Sequence, residues 1–206
     1  MAHVLILVGF AACSLLWGGI PIGYIVVKLL KGTDVRMLGS GNIGATNVPR
    51  VLVTAWFFGV LALDAAKGAL PVVVSLMLGS DGFERVLIAA FIIGGNLFSP
   101  WLGFKGGKGV GTGLGALLIL APLPMASCLI VFVIVLLTLN YVSVASVIAA
   151  CVFPIAIFAS ESATKVKHDT ILLVFAVILA LALAVMHRTN LARLAGGTED
   201  KFFTRD

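Results

Sequence analysis

Residues 171–186 read Ile171-Leu-Leu-Val-Phe-Ala-Val-Ile-Leu-Ala-Leu-Ala-Leu-Ala-Val-Met186, an apolar stretch with no polar side chain in it. Crossing a bilayer takes about 20 apolar residues, and this stretch approaches that length. A lone segment inside a bilayer must satisfy its backbone hydrogen bonds internally, which an α-helix does. The stretch therefore predicts a membrane-spanning helix.

The composition of the whole chain agrees with this prediction. Of its 206 residues, 61% are hydrophobic and 11% are charged, whereas soluble domains have roughly 45–50% apolar and about 25% charged residues. The same values exclude a disordered chain, which needs low hydrophobicity and high charge. We therefore expect an all-α integral membrane protein that forms a single polytopic domain over residues 1–206.

Six further apolar stretches precede residues 171–186, and none has the short alternating pattern of a membrane barrel strand. The seven stretches are residues 4–30, 51–78, 86–104, 110–121, 125–139, 144–159 and 171–186. Stretch 110–121 is the shortest, and as a helix its twelve residues would reach only about 18 Å. It is either a re-entrant half-helix or a span that gains length from the glycines before it or from Pro122 and Pro124 after it.

The basic residues decide between these topologies, because cytoplasmic loops of membrane proteins carry an excess of lysine and arginine. With seven crossings and an outer N-terminus, we count ten basic residues in cytoplasmic segments and three outside; without the fourth crossing the split is eight to five. We therefore predict seven transmembrane helices, the N-terminus outside and the C-terminus cytoplasmic. The cytoplasmic segments are then 31–50, 105–109, 140–143 and 187–206, and the outer segments 79–84 and 160–169 are solvated turns.

The first polar cluster is Gly39-Ser-Gly-Asn-Ile-Gly-Ala-Thr-Asn-Val-Pro-Arg50, here called the glycine loop. Its glycines free the backbone to approach a ligand, and Arg50 adds a planar fork of donors suited to phosphate. The alternative is a flexible linker with one basic residue at the membrane edge. The candidate ligand-binding residues are Ser40, Asn42, Thr46, Asn47 and Arg50.

The second cluster is Gly103-Phe-Lys-Gly-Gly-Lys-Gly-Val-Gly-Thr-Gly113, whose first seven residues, 103–109, are here called the lysine loop. Two lysines in a glycine run that opens into a helix predict an anion site. A nucleotide-hydrolysing P-loop is not expected, because a glycine follows the second lysine and membrane spans flank the run. Lysines that reach lipid head groups are the alternative, but that role needs no glycines. The candidate phosphate-binding residues are Lys105, Gly106, Gly107, Lys108 and Gly109.

Further candidates lie in the C-terminal tail, residues 187–206, and in the turn at 141–143. The tail offers an imidazole and an amide, and we take His187 and Asn190 as binding residues. Ser143 either reaches a ligand or caps the helix that follows. The acidic residues are dispersed along the chain, so no metal site is predicted.

Asp64 and Lys67 are two charges inside an apolar stretch, where charges are costly and need partners. They either neutralise each other or bind at the base of a site. We expect the structural role.

In order and spacing, residues 39–50, 104–109 and 187–199 resemble the three cytoplasmic motifs of the bacterial acyl-phosphate:glycerol-3-phosphate acyltransferases, the PlsY family. Residues 64–68 and 141–146 resemble features of the same family. The resemblance implies transfer of a fatty acyl group from acyl phosphate to the 1-hydroxyl of glycerol 3-phosphate. The products are 1-acyl-glycerol 3-phosphate (lysophosphatidic acid) and inorganic phosphate, in the first acylation step of phospholipid biosynthesis. It also implies the bacterial inner membrane, an active site that faces the cytoplasm, and no cofactor.

The resemblance also implies roles by motif position. The glycine loop would hold phosphate or polyol groups, the lysine loop would cradle a phosphate, and Glu199 would tie the tail to a basic partner. The expected catalytic residues are Arg50, Lys105, His187 and Asn190. The expected partners are glycerol 3-phosphate, fatty acyl phosphate, membrane lipid and enzymes that supply acyl phosphate, and no nucleic acid is expected.

One position departs from the family pattern, because Asn96 stands where the family usually has histidine after glycine, and Pro100 comes one residue late. Asparagine can keep one of the two hydrogen-bonding roles of histidine. The departure leaves a catalytically weakened paralogue with a regulatory role as one alternative. The other is a small anionic-metabolite transporter, although transporter sites lie near the bilayer midplane.

Direct acyl transfer without an acyl-enzyme is expected. The residues five after His3, His168 and His187 are Val8, Leu173 and Ala192, so the His-x4-Asp pair of soluble-type acyltransferases is absent from the sequence. The cationic side chains would position the donor and stabilise the leaving phosphate. The proton of the attacking hydroxyl goes either to His187 or to a phosphate oxygen of the donor, which is the preferred acceptor.

Overall fold

The computed structural model describes residues 1–164 and 170–203, and the regular structure within these residues is entirely helical. The prediction of an all-α protein is confirmed. The predicted outer turn at 160–169 is wrong for residues 160–164, which continue the helix Val142–Thr164, and its residues 165–169 lie outside the described residues. The α-helices of the described residues are α1 (Ala2–Gly18), α2 (Ile22–Lys31), α3 (Ala55–Met77), α4 (Gly82–Leu97), α5 (Val110–Leu120), α6 (Pro122–Leu139), α7 (Val142–Thr164), α8 (Thr170–Met186) and α9 (Arg188–Ala195).

The helices group into two compact units. Unit 1 is Met1–Leu120 and holds α1 to α5 with both the glycine loop and the lysine loop. Unit 2 is Ala121–Asp206 and holds α6 to α9 with the described part of the tail. In unit 1, α3 packs mainly on α5 and α1 on α4; in unit 2, α7 packs on α6 and α8.

Within the described residues, five helical segments are long and apolar enough to cross a bilayer, when α1 and α2 are taken together. A sixth is obtained if α8 and α9, bent by 53°, are one span. Each of the seven predicted stretches contains at least one α-helix. The number of crossings and the orientation of the termini remain predictions.

The short stretch at 110–121 does not gain the length that the sequence suggested. Helix α5 has 11 residues, and Ala121 leaves the helical conformation with φ −146° and ψ 74°. The ring of a proline keeps the preceding residue out of the α region, so Pro122 ends α5 and begins α6. At about 1.5 Å per residue, α5 reaches roughly 16 Å, about half of the hydrocarbon core.

The first apolar stretch is broken between α1 and α2, where Pro21 stands. The last carbonyl groups of a helix have no partner within the helix, and here side chains of other elements supply donors. Lys67 Nζ lies 2.8 Å from Ile20 O, and Ser99 Oγ lies 2.6 Å from Gly19 O. These bonds hold the end of α1 to α3 and to the end of α4.

Lys67 has a second partner, since its Nζ lies 2.9 Å from Asp64 Oδ1 and both side chains are buried. The pair is one helical turn apart on α3, as the sequence spacing predicts. The contact supports mutual neutralisation, the structural interpretation of these two charges.

Small residues bring α3 and α5 close together. A Cβ on Gly68 would collide with the carbonyl oxygen of Thr112, and a Cβ on Gly115 with that of Ala65. Small residues allow helix backbones to approach closely inside a bilayer. The contact anchors α5, and with it the end of the lysine loop, against α3.

Candidate active site

The glycine loop of unit 1 folds around the side chain of Asn47, which is 1% exposed. Its Oδ1 accepts a hydrogen bond from the N–H of Ser40 at 2.8 Å. Its Nδ2 donates to three main-chain oxygens at distances between 2.9 and 3.1 Å, those of Val35, Leu38 and Asn42. The sequence predicted Asn47 as a ligand-binding residue, but its side chain is committed to the shape of the loop.

Other side chains of the loop lie at its surface. Thr46 and Arg50 are exposed, and Ser40 and Asn42 are half-buried. Arg50 runs across Gly39, which has φ +55°: a Cβ at Gly39 would lie 2.6 Å from Arg50 Cδ and 3.4 Å from Nη1. Glycine is required here both by the backbone conformation and by this approach. The side chain of Arg50 therefore places positive charge along a loop whose conformation Asn47 holds. This arrangement favours a binding loop over a flexible linker.

The lysine loop begins with a strained turn. Gly103 and Phe104 have φ of +62° and +63°, a conformation that is rare for a residue as bulky as phenylalanine. The N–H of Phe104 donates to Ser99 O at 2.9 Å and helps to impose this conformation. Such strain clusters at functional sites, where the surroundings impose it. The turn leaves Lys105 exposed and Lys108 half-buried.

Two amides of the lysine loop bond to Asn96 at the end of α4. The N–H of Gly107 donates to the main-chain oxygen of Asn96 at 2.8 Å, and the N–H of Gly109 donates to Asn96 Oδ1 at 3.0 Å. Of the five residues predicted to cradle a phosphate, 105–109, Gly107 and Gly109 have amides that already bond to acceptors within the protein.

In unit 2, the buried residue His187 joins α8 to α9 and is 3% exposed. Its Nδ1 lies 2.9 Å from the carbonyl oxygen of Leu183. A carbonyl oxygen only accepts, so Nδ1 carries a hydrogen, and in the neutral ring Nε2 then carries the lone pair. The ring is therefore held in the tautomer that makes Nε2 the candidate proton acceptor.

Glu199 connects three polar side chains of the same unit. Its Oε1 accepts from Asn190 Nδ2 at 2.6 Å and from Ser143 Oγ at 3.0 Å, and its Oε2 accepts from Arg193 Nε at 2.8 Å. Burial raises the pKa of Glu199, but the bonds from these three groups and the charge of Arg193 outweigh burial and hold that pKa below its usual value. Glu199 therefore has a basic partner, but this partner, Arg193, belongs to the same tail, and the bond from Ser143 is the one that joins the tail to α7.

The sequence did not single out Asn140, which holds the rest of the tail. Its Nδ2 donates to Phe203 O at 2.8 Å, and its Oδ1 accepts from Phe203 N at 2.7 Å. The N–H of Phe202 donates to the main-chain oxygen of Asn140 at 2.9 Å. Asn140 has φ +64° at the end of α6, a helix-ending position for which asparagine is suited. In the sequence, the position of this asparagine between two apolar stretches indicates a helix end, although it does not reveal the contact with the tail.

The fold and these residues define an all-helical integral membrane protein. Unit 1 carries two glycine-rich loops with cationic side chains, and unit 2 carries a buried histidine whose Nδ1 is held by the carbonyl oxygen of Leu183. Glycine-rich loops with basic side chains suit phosphate groups.

The chain matches the glycerol-3-phosphate acyltransferase family over residues 8–197. A relative of that name in Trichlorobacter lovleyi is 40% identical over 193 residues, 93% of this chain and 95% of the relative. Another, in Desulforudis audaxviator, is 39% identical over 192 residues, 93% of each chain. This chain belongs to the glycerol-3-phosphate acyltransferase family.

Solved structures agree with that assignment. The chain is similar to the crystal structure of PlsY (YgiH), an integral membrane glycerol 3-phosphate acyltransferase, in its glycerol 3-phosphate form: the TM-score is 0.88, the identity 31% and the coverage 96% of each chain. For the lysophosphatidic acid form of PlsY, the TM-score is 0.84, the identity 30% and the coverage 95% of this chain and 94% of the other. The predicted resemblance is confirmed, and the enzyme is favoured over the transporter alternative.

Proposed function

We propose that this enzyme takes its acyl group from a fatty acyl phosphate and transfers it to the 1-hydroxyl of glycerol 3-phosphate. Acylation of glycerol 3-phosphate to lysophosphatidic acid follows from the family to which the chain belongs. The observation that supports the phosphorylated donor is the presence of two separate cationic loops. Arg50 is the last residue of the glycine loop and lies across Gly39, and Lys105 and Lys108 belong to the lysine loop. An acyl phosphate and glycerol 3-phosphate each carry a phosphate that such a loop suits.

The reaction is a direct displacement at the acyl carbon. The hydroxyl oxygen attacks the carbonyl carbon of the acyl phosphate, and the bond between that carbon and the bridging oxygen breaks. Inorganic phosphate leaves with the electron pair, and the hydroxyl proton passes to His187 Nε2 or to a phosphate oxygen of the donor. Cationic side chains stabilise the negative charge that develops on the leaving group.

The family match over residues 8–197 supports one acyltransferase domain. Asn47, Gly107 and Gly109 act through the shapes of their loops. The proposed contact residues are Ser40, Asn42, Thr46, Arg50, Lys105, Gly106, Lys108, Ser143, His187 and Asn190.

We place these residues at the cytoplasmic surface of the inner membrane, as the excess of basic residues in those segments indicates. The donor would reach this face from enzymes that supply acyl phosphate. The test is single-cysteine labelling at Thr46 and at Thr198 in a chain whose native cysteines, Cys13, Cys128 and Cys151, are replaced by alanine. A membrane-impermeant maleimide should label both positions in inverted vesicles and neither in intact cells. Labelling from opposite sides would contradict the proposal.

The donor is tested with purified protein in lipid vesicles and labelled glycerol 3-phosphate. Acyl phosphate, acyl-CoA and acyl carrier protein are offered separately, and lysophosphatidic acid is measured. Product from acyl phosphate alone is expected. Product from either thioester at a comparable rate would contradict the proposed donor, and uptake into vesicles without product would favour a transporter.

A further inference from the structure

The lysine loop passes in close contact with the end of α4, at Asn96 and Leu97. A Cβ on Gly106 would collide with the main-chain oxygen of Asn96 and would come within 2.6 Å of that of Leu97. A Cβ on Gly107 would lie 3.0 Å from Asn96 Oδ1. The loop therefore follows the surface of the Asn96 peptide and side chain. This approach requires glycine at 106, and a side chain at 107 would make a tight contact.

Asn96 holds this loop at two points that differ in chemical kind. Its main-chain oxygen accepts from Gly107, as the oxygen of any residue at position 96 would. Its side-chain oxygen accepts from Gly109, a buried residue with φ +76° directly before α5. Only the second bond depends on the side chain, and it fixes the point at which the loop becomes a helix.

We infer that Asn96 is a positioning residue for phosphate binding by the lysine loop, an inference that rests on the proposed function. Lys108 stands between the two amides that bond to residue 96, so both neighbours of Lys108 are held on α4. Without the Oδ1 acceptor, the amide of Gly109 is buried without a partner or turns to another one. In either case the backbone that carries Lys108 is no longer held to α4 at Gly109. The departure from the family's histidine is then a replacement of one hydrogen-bond acceptor by another and not a lost catalytic group.

The test compares Asn96→Leu, which has a similar volume and no acceptor, with Asn96→His, which offers a ring nitrogen as acceptor. Asn96→Leu should raise the KM for a phosphate-bearing substrate by about tenfold, the effect of one buried amide losing its partner, with a smaller change in kcat. Asn96→His should stay within about twofold of the unaltered enzyme in both constants.

Ser99→Ala is the matched control. It also removes a buried hydrogen bond at the end of α4, but that bond joins Ser99 to Gly19 and not to the lysine loop. In this variant the KM for glycerol 3-phosphate and the KM for the acyl donor should both remain unchanged. An equal rise of KM in Ser99→Ala, or unchanged kinetics in Asn96→Leu, would overturn the inference.

A second measurement needs no variant. Hydrogen exchange followed by mass spectrometry on the unaltered protein should show slow exchange at the amides of 107 and 109; fast exchange there would also overturn the inference. Failure of the donor proposal is distinguished from failure of this inference, because the KM for glycerol 3-phosphate can be measured with whichever acyl donor gives product.

Discussion

Asn190 Nδ2 lies 2.6 Å from Glu199 Oε1, so a proposed substrate-binding amide is oriented by a carboxylate nine residues further along the chain. A carboxylate oxygen only accepts, which means that the nitrogen of the amide faces Glu199. Ser143, at the start of α7, donates to the same oxygen. The carboxylate thus holds α9 and the start of α7 to the part of the tail that follows α9, all within unit 2.

Glu199→Gln should lower the stability of the enzyme above about pH 5. Glutamine keeps an acceptor for Asn190 but loses the charge that Arg193 contacts, a loss of about 1 kcal/mol in the free energy of unfolding. Because the folded pKa of Glu199 is lowered, its stabilisation is complete above the unfolded pKa of about 4.3 and disappears as the pH falls through the folded pKa. Thermal unfolding in detergent at neutral and acidic pH measures the difference.

The control for Glu199 is Asp34→Asn, which breaks a carboxylate–arginine pair of greater exposure, that of Asp34 with Arg36. Such pairs contribute about 0–1 kcal/mol, so this variant should change the unfolding temperature less. Equal effects of the two variants at neutral pH, or a Glu199→Gln deficit that persists in acid, would contradict the role assigned to Glu199.

Asn47→Ala should destabilise the protein and reduce its activity together. The substitution removes one hydrogen bond from each of four main-chain groups in and before the glycine loop, at a cost of about 2–4 kcal/mol. The displaced Ser40 and Asn42 should lower kcat/KM by about tenfold or more. Thr46→Ala is the control, since it removes an exposed side chain from the preceding position, and its unfolding temperature should match that of the unaltered enzyme.

Asp64 and Lys67 should behave as a coupled pair. Lys67→Met leaves the carboxylate of Asp64 buried beside α5 without the cation it contacts, which should cost about 3–5 kcal/mol. The double variant Asp64→Leu/Lys67→Met should recover most of that loss, apart from the bond to Ile20. A double-mutant cycle of unfolding free energies checks the coupling. Additive effects of the two substitutions would contradict a structural ion pair.

The sequence predicts features that depend on local geometry and misses features that depend on distant contacts. The apolar runs specify helices because a segment in lipid must satisfy its own backbone, and Asp64 and Lys67 pair because one helical turn separates them. The donors of its loop predict that Asn47 binds the ligand. In the structure its side chain bonds to Val35 and Leu38, outside the cluster, and a motif does not reveal which way a side chain turns.

Asn140 and Asn96 show the same limit. Each is an asparagine at a helix end whose oxygen atoms accept hydrogen bonds from main-chain amides further along the chain. These amides lie in residues 202–203 for Asn140 and in residues 107–109 for Asn96. The residue type indicates a helix end or a hydrogen bond. Only the fold supplies the partner, because the separations in sequence are 63 and 13 residues.

Arg50→Ala should impair substrate binding more than turnover. The guanidinium group lies along the glycine loop at Gly39, and its loss removes charge-assisted bonds to phosphate. We expect a rise in KM of about tenfold or more, with kcat reduced less. Arg85→Ala is the control, because that half-buried arginine lies in the first turn of α4, outside both loops, and bonds to Asp81 O. Unchanged kinetics in Arg50→Ala would remove Arg50 from the site.

His187→Gln separates the two candidate proton acceptors. If a phosphate oxygen of the donor accepts the proton, the variant should keep appreciable turnover, with kcat reduced by about tenfold or less. If Nε2 of His187 is the general base, kcat should fall by about 10³-fold or more. Single-turnover measurements with labelled glycerol 3-phosphate report the chemical step directly.

His187→Asn is the matched variant for that comparison, because its amide nitrogen can still donate to Leu183 O as Nδ1 does, while no group replaces Nε2. The bend between α8 and α9 should therefore be preserved, and unfolding temperatures should show it. A large loss of kcat in both variants with stability retained would assign the proton transfer to the histidine. Retained turnover in both would assign it to the substrate phosphate, since a direct displacement whose leaving group carries basic oxygens needs no protein base.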